Sequence, residues 1–327
     1  MKIAIIGAGT FGVTLANHLS NKYMNIFLYT HSVEKYQKMI FDHSIPHLKN
    51  ILISDTINIT NEFNCVLDSD IIIIAVGSLY FRDTIKKIKN LIKKNSIIVS
   101  VTKGIEKNTL LTMSQILESE LDNNDNIVAL SGPSHAEELA MKMPTTIVSA
   151  SKNLYARNTI QDVFMNNYLR VYTNDDILGV EICGAVKNIL ALACGISTGL
   201  GFGDNLKAAI MTRGMAEMVR IGEELNCKKD TFYGLAGMGD LIVTSISKHS
   251  RNNRCGEYIG KGYSSNEAIE KIGMVVEGIN AIKPCIELSK KYNIEMPITY
   301  AMNDIINNNK NPKDILNSLM MREKKNE

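Results

Sequence analysis

The chain has 327 residues, more than one ordinary hydrophobic core holds, so two domains with a cofactor cleft between them are the first expectation. Lysine and arginine number 36 against 34 aspartates and glutamates, and a net charge of +2 gives no electrostatic basis for nucleic acid or an anionic membrane as the main partner. Six scattered cysteines (Cys65, Cys183, Cys194, Cys227, Cys255 and Cys285) form no CxxC pair, which points to reduced thiols, a cytoplasmic setting and no metal.

Residues 2–6 form a short apolar run that ends at Gly7, and residues 11–20 then carry Val13, Ala16 and Leu19 at helical spacing. This predicts strand, tight turn, helix, and no cleavable signal precedes it. Further strands are expected at 26–29, 71–76 and 96–102. The run at 71–76 is too short to cross a bilayer, so no membrane insertion is expected. A crossover helix is expected at 108–121, a strand at 127–130 and another at 145–148, then a helix at 154–164 and a strand at 169–172. Strands apolar on both faces belong to a covered, parallel-rich sheet, the mark of an α/β fold.

After about residue 173 the strand signals stop. Helical spacing runs through 177–198, 205–225, 265–271 and 279–292 around Pro284, so the second half reads as all-α. The boundary is expected near 174, giving domains 1–174 and 175–327. The apolar stretch 189–200 reads as domain core in preference to a subunit contact. The charged residues 321–327 read as a frayed tail.

Gly7-Ala8-Gly9-Thr10-Phe11-Gly12 matches GxGxxG between that first strand and helix, the context in which a pyrophosphate approaches a helix N-terminus. The bland alternative, a glycine turn without a ligand, suits this context less well. The second strand ends Leu28-Tyr29-Thr30-His31-Ser32, without the carboxylate that meets the ribose hydroxyls in NAD-preferring domains. NADP or dual use is favoured, with His31 and Ser32 able to meet a 2′-phosphate and a ligand-free surface histidine as the equal alternative.

Three further clusters can meet a substrate. Lys103, in Val101-Thr102-Lys103-Gly104, follows a strand whose carboxyl end should face the ligand, although a lone lysine is more often just solvated. Asp240 and Thr244 lie four apart and share a face if helical, with a helix cap by Asp240 as the plain alternative. Ser250-Arg251-Asn252-Asn253-Arg254 offers a guanidinium fork suited to phosphate or carboxylate, or is a basic loop.

These residues carry a resemblance. GAGTFG, VTKGIE at 101–106, LSGPSHAEELA at 130–140, EICGAVKNILALACGISTGLGFGDNLKAAIMTRGMAEM at 181–218, GLAGMGDLIVTSISKHSRNNRCG at 234–256 and VVEGI at 275–279 run in the order of the NAD(P)-dependent sn-glycerol-3-phosphate dehydrogenase family, which the chain resembles over nearly its whole length. The resemblance implies a Rossmann-like N-terminal domain, a helical substrate domain, NAD or NADP as cofactor, and interconversion of glycerol 3-phosphate and dihydroxyacetone phosphate. It further implies a cytoplasmic homodimer that supplies phospholipid synthesis. Lys187 would be the proton donor and acceptor. Lys103, Gly132, Ser134, Asn188, Asp240, Thr244, Ser250, Arg251 and Asn252 would surround the substrate. The cofactor would meet Gly7, Gly9, Thr10, Phe11, Gly12, His31, Lys103, Ser134, Ala136, Arg251, Val275 and Glu277. Two departures from the family pattern stand out: Phe11 where Trp or Tyr is common, and Gly77-Ser78 where Pro-Ser is common, which predicts a looser loop.

Two other readings compete. A reductase of the β-hydroxyacid dehydrogenase type shares the two domains and the lysine, and its carboxylate substrate would satisfy Arg251 as well as a phosphate does. A noncatalytic nucleotide sensor would have no need of Lys103, Lys187 and Asp240 together.

Overall fold

Strand β1 (Ile3–Ile6) has no exposed residue, because it lies inside a sheet that helices cover on both faces. The structure is a computed structural model and describes all residues except 49, 50, 123, 325 and 327. The chain divides into two compact units, Met1–Lys103 with Leu111–Glu181, and Gly104–Leu110 with Ile182–Glu327.

In the first unit β1 is followed by α1 (Thr10–Ser20), β2 (Ile26–Tyr29), α2 (Val33–Asp42), β3 (Ile57–Thr60), β4 (Ile71–Ile74), α3 (Phe81–Ile88) and β5 (Ile97–Ser100). Then come α4 (Met113–Glu120), β6 (Ile127–Ser131), α5 (Ala136–Ala140), β7 (Thr145–Ala150), α6 (Leu154–Phe164) and β8 (Leu169–Asn174). The eight strands pair in the order β3-β2-β1-β4-β5-β6-β7-β8. All neighbours are parallel except β6 and β7, where Leu130 faces Ser149 across an antiparallel pair. Chain direction through the sheet reverses its progress at β1, where Ile6 lies between Tyr29 and Ile74. That switch point is where an open α/β sheet leaves a crevice for a ligand.

The helix expected over 108–121 begins only at Met113. Asn108 and Leu110 take φ of 72° and 61°, and Thr112 with Gln115 forms a capping box that fixes the start. Strand β3, helix α2 and helix α3 have no counterpart among the expected elements.

Helix α7 (Ile177–Gly199) is long and apolar enough to cross a membrane, but 94% of its apolar window is buried within the protein, so it is core. The second unit continues with α8 (Asp204–Glu224), α9 (Lys229–Tyr233), a π turn at Leu235–Gly239, α10 (Asp240–Ile246) and α11 (Arg251–Gly260). It closes with α12 (Ser265–Ile272), α13 (Glu277–Tyr292), α14 (Pro297–Ile306) and α15 (Pro312–Met320). Helices α9, α10, α11, α14 and α15 are all additional to those expected.

Two buried carboxylates act as caps for other helices. Glu181 accepts from Ser114 N at 2.8 Å and Ser114 Oγ at 2.5 Å, at the start of α4. Glu217 accepts from Ile298 N at 2.5 Å and Thr299 Oγ1 at 2.8 Å, at the start of α14. Burial pushes each carboxyl up to about 7 against the opposing pull of these donors. A folded-state value raised above the unfolded one means stability is greatest below the ordinary carboxylate range and is lost as pH rises through about 7. Thermal melts should therefore show a lower Tm at pH 8 than at pH 5.5, the loss of stability being at most about 2 kcal/mol per group. Glu217→Gln should flatten that slope, and an unchanged slope would mean that Glu217 is ionised throughout.

Candidate active site

The end of β1 turns so sharply that only glycine suits Gly7: its φ is +120°, and a Cβ there would lie 2.5 Å from Ala75 O. Gly12 brings α1 against the same turn, since its Cβ would meet Gly7 O at 1.9 Å. Gly9 is different. A Cβ added there meets nothing within 4 Å, so the turn presents an open concavity at the N-terminus of α1. The hydroxyl of Thr10 is buried beside it with no hydrogen-bond partner among the described residues. An open cradle, an unpaired hydroxyl and a helix N-terminus fit the pyrophosphate of a dinucleotide. Phe11 packs against the core of this unit. Ala136 opens α5, and its carbonyl accepts from Thr14 Oγ1 of α1 at 3.3 Å.

This fit gives a test. Gly9→Val should fold, because φ of −72° with ψ of −179° suits any residue and the loss of a glycine N-cap costs at most about 1 kcal/mol. The isopropyl group would occupy the cradle, so titration with a nicotinamide dinucleotide should show binding weakened by about a hundredfold or more. Normal binding would remove the dinucleotide from this turn.

The residues after β5 and β6 meet each other. Lys103 Nζ donates to Gly132 O at 3.2 Å, and Ser134 Oγ donates to the same oxygen at 3.1 Å. Gly132 takes φ of +133°, which a side chain would strain. Gly77 sits at φ of −65°, a value proline also adopts, and the 3₁₀ turn Ser78–Tyr80 follows directly. His31 is exposed just past the end of β2. The hydroxyl of Ser32 caps α2 by accepting from Lys35 N at 3.1 Å, so this side chain has a structural task.

In the second unit Lys187, only 5% exposed, lies on α7 and donates to Asp240 Oδ1 at 2.9 Å and to Thr244 Oγ1 at 2.7 Å. Thr244 Oγ1 also donates to Asp240 Oδ1 at 3.1 Å, one helical turn apart on α10. Asp240 is not a helix cap; the N-cap position belongs to Gly239. The buried ammonium thus has a fixed direction as well as a counter-charge.

A second buried network lies alongside. Asn188 anchors to Gly184 O at 3.0 Å and accepts from Asn252 Nδ2 at 2.8 Å, while Asn252 Oδ1 accepts from Gly278 N at 2.9 Å. Ser250 caps α11 by accepting from Asn253 N at 3.2 Å. Arg251 is exposed at the first position of that helix, and its Nη1 donates to Val275 O at 3.2 Å. Glu277 begins α13 and accepts from Asn280 Nδ2 at 3.4 Å. The predicted residues therefore form two sets, one at the strand ends of the first unit and one on α7, α10, α11 and α13 of the second. Sequence reasoning missed Lys35, whose Nζ donates to Ala8 O in the glycine turn at 2.6 Å. Its place three residues after the helix-capping Ser32, on the turn that faces back along the chain, was the available signal.

Four buried thiols are not disposed to react: burial pushes Cys65 and Cys194 up to about 11 and Cys255 and Cys285 up to about 12.

Comparison with known proteins agrees with this geometry. The model of the NAD-dependent glycerol-3-phosphate dehydrogenase N-terminus matches residues 2–156, and that of the C-terminus matches residues 176–317. A glycerol-3-phosphate dehydrogenase [NAD(P)+] of Lactobacillus delbrueckii subsp. bulgaricus is 47% identical over 100% of this chain and 98% of its own. That of Bacillus subtilis is 44% identical over 100% and 96%. The crystal structure of glycerol-3-phosphate dehydrogenase from Coxiella burnetii superposes with a TM-score of 0.93 at 35% identity, covering 98% of this chain and 99% of that one. With both halves matched and relatives aligned from end to end, the chain belongs to the NAD-dependent glycerol-3-phosphate dehydrogenase family and is an oxidoreductase that uses NAD or NADP.

Proposed function

We propose that this chain interconverts sn-glycerol 3-phosphate and dihydroxyacetone phosphate, with Lys187 moving the proton at the C2 oxygen. The observation that carries the assignment is the buried triangle of Lys187, Asp240 and Thr244, which fixes the direction of the lysine Nζ. When bound, the nicotinamide supplies or takes the hydride at C2. In the reducing direction the developing alkoxide needs a proton, and Lys187 donates it from Nζ. Asp240 and Thr244 orient the ammonium and receive its remaining hydrogen bonds. Asn188 and Asn252 orient polar atoms of the substrate. In the first unit Lys103, Gly132 and Ser134 serve cofactor and substrate, and Thr10, Phe11, His31 and Ala136 line the dinucleotide.

Arg251, held to Val275 O, grips the nonreacting phosphate, whose binding energy then positions the carbonyl, while Val275 and Glu277 line the cofactor. We place the enzyme in the cytoplasm as a homodimer that supplies phospholipid synthesis. Because Arg251 is exposed, Arg251→Ala should leave the Tm unchanged while raising KM for dihydroxyacetone phosphate roughly ten- to a hundredfold, the worth of one charged hydrogen bond. Steady-state kinetics would detect this, and an unchanged KM would assign the phosphate to another group.

A further inference from the structure

Nothing acidic stands at the end of β2, where the sequence runs Tyr29-Thr30-His31-Ser32. A dinucleotide fold that selects NAD places a carboxylate there for the ribose hydroxyls, and one that takes NADP needs a cation near the same place. The nearest acid along the chain, Glu34, is exposed in the first turn of α2. Lys35 is the cation that the fold delivers. The Ser32 cap fixes the first turn of α2, so Lys35 at its third position leans back over the glycine turn, and its Nζ donates to Ala8 O at 2.6 Å. It is half-buried, and burial pushes its ammonium below the usual lysine value, so part of its hydration is already lost before a ligand arrives. Ala8 uses one of three ammonium donors. The adjoining concavity at Gly9 is open.

We infer that Lys35, tethered to the glycine turn at Ala8, is the residue that receives the 2′-phosphate of NADP(H) and sets this chain's choice between the two nicotinamide dinucleotides. The inference rests on the reading of the glycine turn as a dinucleotide site. His31, just past the end of β2, is exposed.

Equilibrium titration by calorimetry, with NADPH and NADH in parallel and without substrate, tests it. Wild type should bind NADPH about tenfold or more tighter than NADH. Lys35→Met, which keeps the length and apolar stem of the side chain, should erase that ratio and change the Kd for NADH less than about threefold. Lys35→Arg should retain the ratio. Equal weakening of both dinucleotides in Lys35→Met would make Lys35 a clamp on the turn and overturn the inference, as would a wild type that prefers NADH. A folded wild type that binds neither dinucleotide would instead refute the dinucleotide reading itself, a separate outcome.

Discussion

Lys187→Arg is expected to fold and to lose kcat by roughly three orders of magnitude, the range general acid catalysis supplies. Arginine keeps the positive charge that Asp240 needs at a site where the carboxylate is only 2% exposed. It remains protonated at any ordinary pH and cannot give up the proton that the C2 alkoxide requires. Lys187→Met should lose as much activity and also stability, because buried Asp240 then loses the ammonium that donates to it at 2.9 Å and balances its charge. Removing one partner of a buried ion pair costs about 3–5 kcal/mol. The two variants separate chemistry from folding. If Lys187→Arg turned over at near the wild-type rate while melting normally, another group would be the acid.

The second large effect concerns backbone contact. Gly195 and Gly199 on α7 meet Gly256 and Gly260 on α11 with nothing between the helices. A Cβ on Gly256 would lie 2.1 Å from Leu192 O, and one on Gly195 would lie 1.9 Å from Asn253 O. By helix propensity alone Gly256→Ala should stabilise by about 1 kcal/mol. The crossing reverses the sign, since two backbones would have to separate, and overpacking costs about 1–3 kcal/mol or more. A Tm lowered by roughly 5 °C is the expected result for a net loss near 2 kcal/mol. The functional consequence follows from the same crossing: the N-terminus of α11 carries Asn252 to Asn188, so KM should rise along with the loss of stability. Gly203→Ala is the control, because a Cβ there meets nothing within 4 Å. A Tm for Gly256→Ala equal to that of the control would mean that the two helices slide apart freely.

The glycine turn was legible because its signal is local: a strand buried on both faces, three glycines and a helix within twenty residues. Helix α7 was legible for a similar reason, being apolar at most of its 23 positions. Strand β3 was not, because it is a four-residue edge strand with one residue exposed and two half-buried, and its alternation is too short to stand out. The reversed direction of β7 is also invisible in sequence, since strand–helix alternation reads alike for either orientation. Helices α10 and α11 follow a glycine-rich π turn, and their short polar faces blur the 3.6-residue period.

In the candidate site, Asp240 and Thr244 could be paired from their spacing, and the helix makes that pair real. Their meeting with Lys187 could not, because they lie 53 and 57 residues further along the chain. The chain Asn188–Asn252–Gly278 is nonlocal in the same way. Ser32 shows the reverse: a hydroxyl that looks available for a phosphate is held by its own helix. The neighbour three residues on carries the charge instead.

The most direct measurement is the initial rate at which the purified protein oxidises NADH or NADPH in the presence of dihydroxyacetone phosphate, with unphosphorylated dihydroxyacetone as the comparison. Turnover with the phosphorylated ketone and a kcat/KM at least a hundredfold lower without the phosphate is expected. Folded protein that binds a dinucleotide yet turns over neither ketone, or both equally, would contradict the assignment of Lys187 and Arg251 to this reaction.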